Sequence, residues 1–128
     1  MSAQLAKAII YRVYVYRSPD EEGTYIAHCL ELDLIGLGEC VQTAITELLE
    51  NMYTQTKVCA RTGAQFFVPA PQEVWKKYGE ALKSGRKVAQ ELIERAFDDF
   101  YKRLGHKPPT IDERIGASKQ VPRELLGV

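Results

Sequence analysis

The sequence predicts an α+β fold: an antiparallel sheet of three or four strands with one long helix packed on it, followed by a helical C-terminal segment. Two observations lead to this prediction. Over residues 8–39, short runs of β-branched and aromatic residues alternate with turn residues. Over residues 41–60, the apolar period changes to that of an amphipathic helix. The length of 128 residues is close to that of one domain and allows a core without metals or disulfides.

Three strands are expected first. Residues 8–17 alternate between two faces, with Val13 and Val15 on the same one. Residues 24–30 follow a short run of turn residues and should pair antiparallel with the first strand. Residues 33–39 form the third strand, and their two glycines indicate a bulge or a close backbone approach.

The long helix is expected over residues 41–60, with one apolar face. That face consists of Val41, Ala44, Ile45, Leu48, Leu49 and Met52. Residues 64–71 predict a short edge strand that two prolines end. Two further helices are expected at about 72–83 and 87–104, on either side of a glycine.

The chain is therefore divided into a sheet-and-helix module over residues 1–71, a helical segment over 72–104 that packs on it or on a partner subunit, and an extended tail over 105–128. The net charge is zero, which gives no nucleic-acid signature for the whole chain. The first module carries a net −3 and the remainder a net +3.

The composition also indicates a compartment. No run approaches the roughly 20 apolar residues of a membrane span, and the first ten residues lack the pattern of a secretory signal. The three cysteines are odd in number and show no CxxC spacing. Free thiols in a reducing cytoplasm are therefore expected.

The segment EEGTYIAHCLELDLIGLGEC, residues 21–40, concentrates chemically versatile side chains, but no catalytic site is expected there. His28 and Cys29 are neighbours on a strand and point to opposite faces, so they cannot form a dyad. Glu31 and Asp33 share a face, yet no further carboxylates converge on them, and we expect them in the solvated connection between two strands. The spacing of the cysteines and His28 fits no common zinc pattern, and no cofactor motif is present.

The same segment, with the helix after it, carries a family resemblance. It contains Gly-x-Tyr, then a Leu-Asp-Leu turn, then Gly-Glu before an alanine-containing helix, at Gly23, Tyr25, Leu32–Leu34, Gly38, Glu39 and Ala44. Over roughly residues 8–70 the chain thereby resembles the N-terminal domain of HicB-like antitoxins. The FFVPAPQEVW run at 66–75 is similar to the stand-alone branch of that family. The chain departs from the pattern at Cys40, where the family often has threonine, and at Ile35-Gly36-Leu37, where many members have Pro-Gly-Cys.

The resemblance implies a partial ribonuclease-H-like fold without catalytic residues. It also implies a role in binding and blocking a small basic toxin that cleaves mRNA. If such a partner exists, we expect the acidic side chains of the first module to face it: Asp20, Glu21, Glu22, Glu31, Asp33 and Glu39. A homo-oligomer is also expected, because strands as aromatic as residues 8–17 and 65–70 favour edge pairing.

Two alternatives remain open. Residues 65–104 follow the strand–helix–helix order of a ribbon–helix–helix DNA-binding module. In that case the DNA contacts would come from Gln65, Lys76, Lys77, Arg86 and Lys87. The other alternative is a cleft for a small molecule or peptide between the sheet and the later helices. Its candidate lining residues are Trp75, Tyr78, Phe97 and Tyr101.

Overall fold

The computed structural model describes residues 11–105, and within them the α+β class is confirmed. The elements are β1 (Val13–Arg17), β2 (Tyr25–Cys29), β3 (Leu34–Gly38), α1 (Val41–Thr62), α2 (Gln72–Ser84) and α3 (Gln90–Leu104). The three strands form one antiparallel sheet in the order β1-β2-β3. None of the helices in this part of the chain is both long and apolar enough to cross a bilayer. The tail expected over residues 105–128 lies, apart from its first residue, outside the described range.

The β1–β2 hairpin sets the register of the sheet. Val13 lies opposite Cys29, and Arg17 lies opposite Tyr25. The turn between them is closed by a hydrogen bond of 2.8 Å from the Ser18 amide to the Thr24 carbonyl. Gly23 has φ +79°, a left-handed conformation that glycine adopts without steric cost. The turn chemistry read from the sequence thus gives the predicted antiparallel pairing.

One face of the sheet, the inner face, is buried under α1 and α3. The alternation predicted for the first strand is confirmed there, because Val13 and Val15 are both buried. The helical face predicted for the long helix also lies in this core, with Ala44, Ile45, Leu48, Leu49 and Met52 all buried. From α3 the core receives Ile93, Ala96, Phe97 and Phe100.

Helix α1 lies directly on the backbone of β3. A Cβ atom added at Gly36 would overlap the Leu48 amide nitrogen and the Ala44 carbonyl oxygen. One added at Gly38 would overlap the Thr43 hydroxyl. The two glycines predicted a bulge or a close backbone approach. The structure shows the close approach, because α1 packs directly against the β3 backbone at these two positions.

The ends of α1 explain its length. Cys40 is the N-cap residue, and its amide donates to the Thr43 hydroxyl at 3.2 Å, the reciprocal bond of a capping box. At the other end, Gly63 has φ +76° and its amide donates to the Cys59 carbonyl at 2.8 Å. The helix therefore reaches Thr62, slightly beyond the predicted end.

Helix α3 is joined to α1 by apolar contacts and by a buried hydrogen bond. The Thr46 hydroxyl lies 3.3 Å from the Ala96 carbonyl oxygen and 3.0 Å from the Gln42 carbonyl oxygen of its own helix, so its one proton is shared between the two acceptors. The helix begins at Gln90, three residues later than predicted. Val88 lies before the first turn and is buried in the same core, so an apolar residue of the connection had been read as part of the helix.

The strand predicted over residues 64–71 is wrong, because that segment bends at Phe66 and pairs with no strand of the sheet. Phe66 packs on the core beneath the inner face, whereas Ala70 belongs to a second cluster on the opposite side of the sheet. The segment therefore crosses from one side of the sheet to the other and cannot run along an edge. A single backbone bond of 2.8 Å from the Ala70 amide to the Leu30 carbonyl attaches it to the sheet.

That crossing places α2 on the side of the sheet opposite α1. Tyr78 of α2 is buried against Leu30 and Ala70, with Val74, Trp75 and Tyr14 around it. The Trp75 indole donates to the Ala70 carbonyl at 3.1 Å. The sheet thus lies between α2 on one side and α1 with α3 on the other.

We expect Gly36→Ala to destabilise the protein by about 1–3 kcal/mol or more, because the new methyl overlaps helix backbone that cannot move independently of the core. The matched control is Gly79→Ala in α2, where a Cβ meets nothing within 4 Å. That change should stabilise the protein by about 0.4–1 kcal/mol, since alanine is the better helix former. Urea unfolding measures the change in the free energy of unfolding for each variant. A change of the same sign in both would refute the close packing of α1 against Gly36.

Candidate functional site: the outer face of the sheet

The side of the sheet facing away from α1 is called here the outer face. It consists of the strand residues Tyr14, Tyr16, Ile26, His28, Ile35 and Leu37. Helix α2 covers its β1 side, where the Tyr14 and Tyr78 rings meet edge-on at 6.4 Å. On the β3 side, Ile35 and Leu37 remain exposed. The β1 side of the outer face is therefore covered, and its β3 side is exposed.

A chain of three polar side chains crosses this face. The Tyr16 hydroxyl lies 3.2 Å from His28 Nδ1, and His28 Nε2 lies 2.8 Å from a carboxylate oxygen of Asp33. His28 is buried at 6% exposure. Burial, with smaller contributions from the nearby Tyr14 and Asp33, raises the pKa of Tyr16 above its usual value. The Tyr16 hydroxyl therefore keeps its proton at neutral pH.

The position of Asp33 depends on an uncommon backbone conformation. Asp33 has φ +52° and is the only residue other than glycine with positive φ within residues 11–105. Aspartate tolerates this region better than most residues. We predicted Asp33 to lie in a solvated connection, and its side chain is indeed 41% exposed, yet it also bonds the buried His28. In the sequence, the contact between His28 and Asp33 is indicated only by their separation of five residues across the turn between β2 and β3.

An apolar patch covers the β3 side of the outer face, and we call Ile26, Ile35 and Leu37 the aliphatic patch. Ile35 is 41% exposed and Leu37 is 40% exposed, while Ile26 lies directly opposite Leu37 on β2. The cause is visible in the run Leu-Ile-Gly-Leu-Gly of β3. Because both glycines must face α1, the two bulky residues between and beside them must face outward.

The free edge of β3 is closed to further strands by side chains of α1. The Leu37 amide donates to the Glu47 carboxylate at 2.7 Å, and the Asn51 amide donates to the Ile35 carbonyl at 2.7 Å. These bonds occupy backbone groups that a neighbouring strand would need. A strand added at this edge would therefore have to displace Glu47 and Asn51 from the β3 backbone.

The surroundings of the aliphatic patch are acidic. Between Arg17 and Lys57 the chain has eight carboxylates and no lysine or arginine. One of the eight, Glu31, is neutralised by Arg12, whose guanidinium and amide both donate to it at 2.7 Å. Glu31 lies in the predicted connection between β2 and β3, but its side chain is only 17% exposed and is bound within the chain, so it is not solvated as predicted.

The structure separates the acidic residues predicted to face a partner. The β1–β2 turn holds Asp20, Glu21 and Glu22, and Glu39 follows β3 at the same end of the sheet, because Gly38 lies opposite Tyr25. The turn after β2 holds Glu31 and Asp33 at the other end. The ends are separated by a five-residue strand, roughly 16 Å. Two acidic groups therefore flank the aliphatic patch, one at each end.

The candidates for DNA contact do not have the arrangement that a ribbon would need. Gln65 lies in the unpaired crossing segment, and its side chain donates to the Phe67 carbonyl at 3.0 Å. Lys76 and Lys77 are exposed on α2, while the exposed residues Arg86 and Lys87 belong to the connection before α3. The paired strand that would carry Gln65 into a groove is absent from the described residues.

The cleft predicted from four aromatic residues is also not formed. Trp75 and Tyr78 belong to the cluster under α2, whereas Phe97 and Tyr101 belong to the core on the opposite side of the sheet. A different groove, of about 590 Å³, lies between β1 and α2. Tyr14, Tyr16 and Val74 line it, together with the oppositely charged Lys77 and Glu80.

The cysteines differ in environment, and all three are free thiols. Cys29 is fully buried on the inner face, and burial raises its pKa to about 12. Cys40 is exposed, and hydrogen bonds from Thr43 lower its pKa. No group of three or more histidine, cysteine, aspartate or glutamate residues within the described range could hold a metal ion.

Comparison with protein-family models, with curated proteins and with solved structures finds no match to the chain. The interpretation of the outer face therefore depends on its own geometry.

We expect one cysteine to react quickly with a maleimide or disulfide reagent at neutral pH. Cys40 should be that residue, because it is exposed and more of its thiol is ionised. Cys29 should react only when the protein unfolds. Mass spectrometry of the labelled sites checks this assignment. In the control variant Cys40→Ser the fast phase should disappear, and its persistence would contradict the assignment.

Proposed function

We propose that this protein is a non-catalytic protein-binding module, in the manner of a HicB-like antitoxin or an orphan relative of one. The observation that carries the proposal is the aliphatic patch, where Ile35 and Leu37 are both about two-fifths exposed beside Ile26. Exposed aliphatic side chains clustered on a sheet face, with charged groups around them, are typical of protein–protein interfaces.

The charges around the patch indicate the chemistry of the partner. Asp33 lies at one end of β3, Glu39 at the other, and Glu47 along its edge, whereas no lysine or arginine occurs between Arg17 and Lys57. A partner with an apolar centre and a basic rim complements this arrangement. A small basic toxin, which the resemblance to HicB-like antitoxins implies, would supply the cations of such a rim.

The mode of binding follows from the closed edge of β3. Strand addition there would require the partner to displace Glu47 and Asn51 from the β3 backbone. Docking on the face requires no such rearrangement. The proposed partner therefore covers Ile35 and Leu37 with side chains and places its cations near the acidic groups at the two ends of the strand.

DNA binding through a ribbon–helix–helix is not part of this proposal. It would need residues 65–70 as a strand, and that segment instead crosses between the two sides of the sheet. The lysines of α2 and the connection before α3 carry a net positive charge, but nothing in their arrangement indicates recognition of base edges.

The proposal is tested with the product of the neighbouring reading frame, if that frame encodes a small basic protein. We expect the two proteins to copurify after coexpression, and Leu37→Arg to weaken binding at least tenfold, about 1.4 kcal/mol, by placing a cation in the apolar centre. Leu82→Arg is the matched control, because Leu82 is 46% exposed on α2, away from the aliphatic patch. Calorimetry with the purified proteins measures both variants.

Two results would count against the proposal. One is that the wild-type chain fails to retain the basic protein. The other is that Leu37→Arg and Leu82→Arg bind it equally well. Thermal unfolding of both variants should match the wild type, since both positions are exposed and surface substitutions usually change stability by less than about 0.5 kcal/mol.

A further inference from the structure

The three groups that cross the outer face, Tyr16, His28 and Asp33, form a hydrogen-bonded series that the proposed binding of a partner does not require. The middle member is almost fully buried, while the Asp33 side chain is 41% exposed. Tyr16 lines the groove between β1 and α2. A buried histidine therefore connects an exposed carboxylate with the hydroxyl of Tyr16, a residue that lines the groove.

The protonation state of the series follows from hydrogen-bond chemistry. A carboxylate only accepts hydrogen bonds, so His28 Nε2, 2.8 Å from Asp33, must carry a proton when Asp33 is ionised. In neutral imidazole the other nitrogen then has a lone pair. Nδ1 accordingly accepts a hydrogen bond from the Tyr16 hydroxyl, 3.2 Å away.

Protonation of the imidazole reverses one of these two bonds. Imidazolium has an N–H on both nitrogens. Asp33 can still accept from Nε2, but the Tyr16 oxygen must now accept from Nδ1. The Tyr16 proton then has to point away from His28 and find a different acceptor.

We propose that Tyr16, His28 and Asp33 form a pH-operated switch that sets the direction of the Tyr16 hydroxyl. At neutral pH the hydroxyl donates into the sheet, to His28. At acid pH it accepts from His28, and its own proton points away from the imidazole ring.

Other titratable groups lie near the series, but none replaces its members. From β1, the Tyr14 ring stacks on Tyr16 at 4.7 Å, and from α2 the Glu80 charge acts on Tyr14. Tyr78 meets Tyr14 edge-on. Arg12 and Glu31 are occupied with each other, and from β3 the neighbour of His28 is the apolar Ile35.

The consequence for partner binding depends on the proposed function, although the switch itself does not. His28 lies opposite Ile35 in the sheet, directly beside the aliphatic patch. A positive charge on the imidazole reduces the local negative charge that would attract a basic partner. Binding of such a partner should therefore weaken as the pH falls.

The switch is tested on the free, full-length chain by NMR of the imidazole nitrogens. The variant His106→Asn leaves His28 as the single histidine of the sequence. At neutral pH we expect proton on Nε2 and none on Nδ1. As the pH falls, Nδ1 should become protonated, and the Cζ signal of Tyr16 should move over the same pH interval as its hydroxyl changes from donor to acceptor.

Two variants, each with a matched control, distinguish the proposed switch from effects that the same chemical change would have elsewhere in the protein. Asp33→Asn keeps a residue that tolerates positive φ but removes the obligatory acceptor, so neutral His28 should show both tautomers. Asp20→Asn makes the same charge change in the β1–β2 turn and should keep the single tautomer. Tyr16→Phe removes the reporting Cζ shift and should retain the Nε2 proton, while Tyr25→Phe, on the inner face, should leave the shift intact.

Either of two results would overturn the inference. One is a proton on Nδ1 at neutral pH in the parent chain. The other is a Tyr16 signal that does not respond when His28 becomes charged. Failure of the basic protein to bind at every pH would instead contradict the proposed function and leave these NMR results standing.

Discussion

The rest of the structure depends on the direct contact between helix α1 and the backbone of β3. At Gly36 and Gly38 the helix approaches so closely that no side chain fits between it and the strand. Close approach gives the dense packing that a core of this size needs, and it leaves little tolerance for added volume. Once the glycines face the helix, the strand has one possible orientation, because a shift of one residue would turn Ile35 and Leu37 into the helix.

That orientation produces the candidate binding surface. The bulky residues of β3 face outward because the glycines must face inward, and α2 covers only the β1 side of the same face. The helix also supplies Glu47 and Asn51, which occupy backbone groups along the free edge of β3. One contact thus exposes an apolar patch and closes the edge beside it, a combination that favours docking of a partner on the face over extension of the sheet.

The buried His28 on the outer face is accommodated by hydrogen bonds to two other side chains, those of Tyr16 and Asp33. Both ring nitrogens of His28 have partners, one from β1 and one from the turn before β3. Satisfaction of both nitrogens offsets the cost of burying the ring. The same arrangement gives the molecule two hydrogen-bonding states, which differ in the direction of a single tyrosine hydroxyl.

The sequence by itself determined the order of the three strands and three helices, the antiparallel hairpin and the apolar face of α1, because periodicity and turn chemistry act over a few residues. For the β3 glycines it left two possibilities, a bulge or a close backbone approach. It also separated His28 from Cys29 correctly. Tertiary structure decided the rest. Residues 64–71 have strand-like composition but cross between the two sides of the sheet, and the pairing of Asp33 with His28 needs a left-handed residue that no local pattern requires. The exposure of Ile35 and Leu37 depends on where α2 stops covering the sheet, since burial is a property of the packed whole and not of the strand.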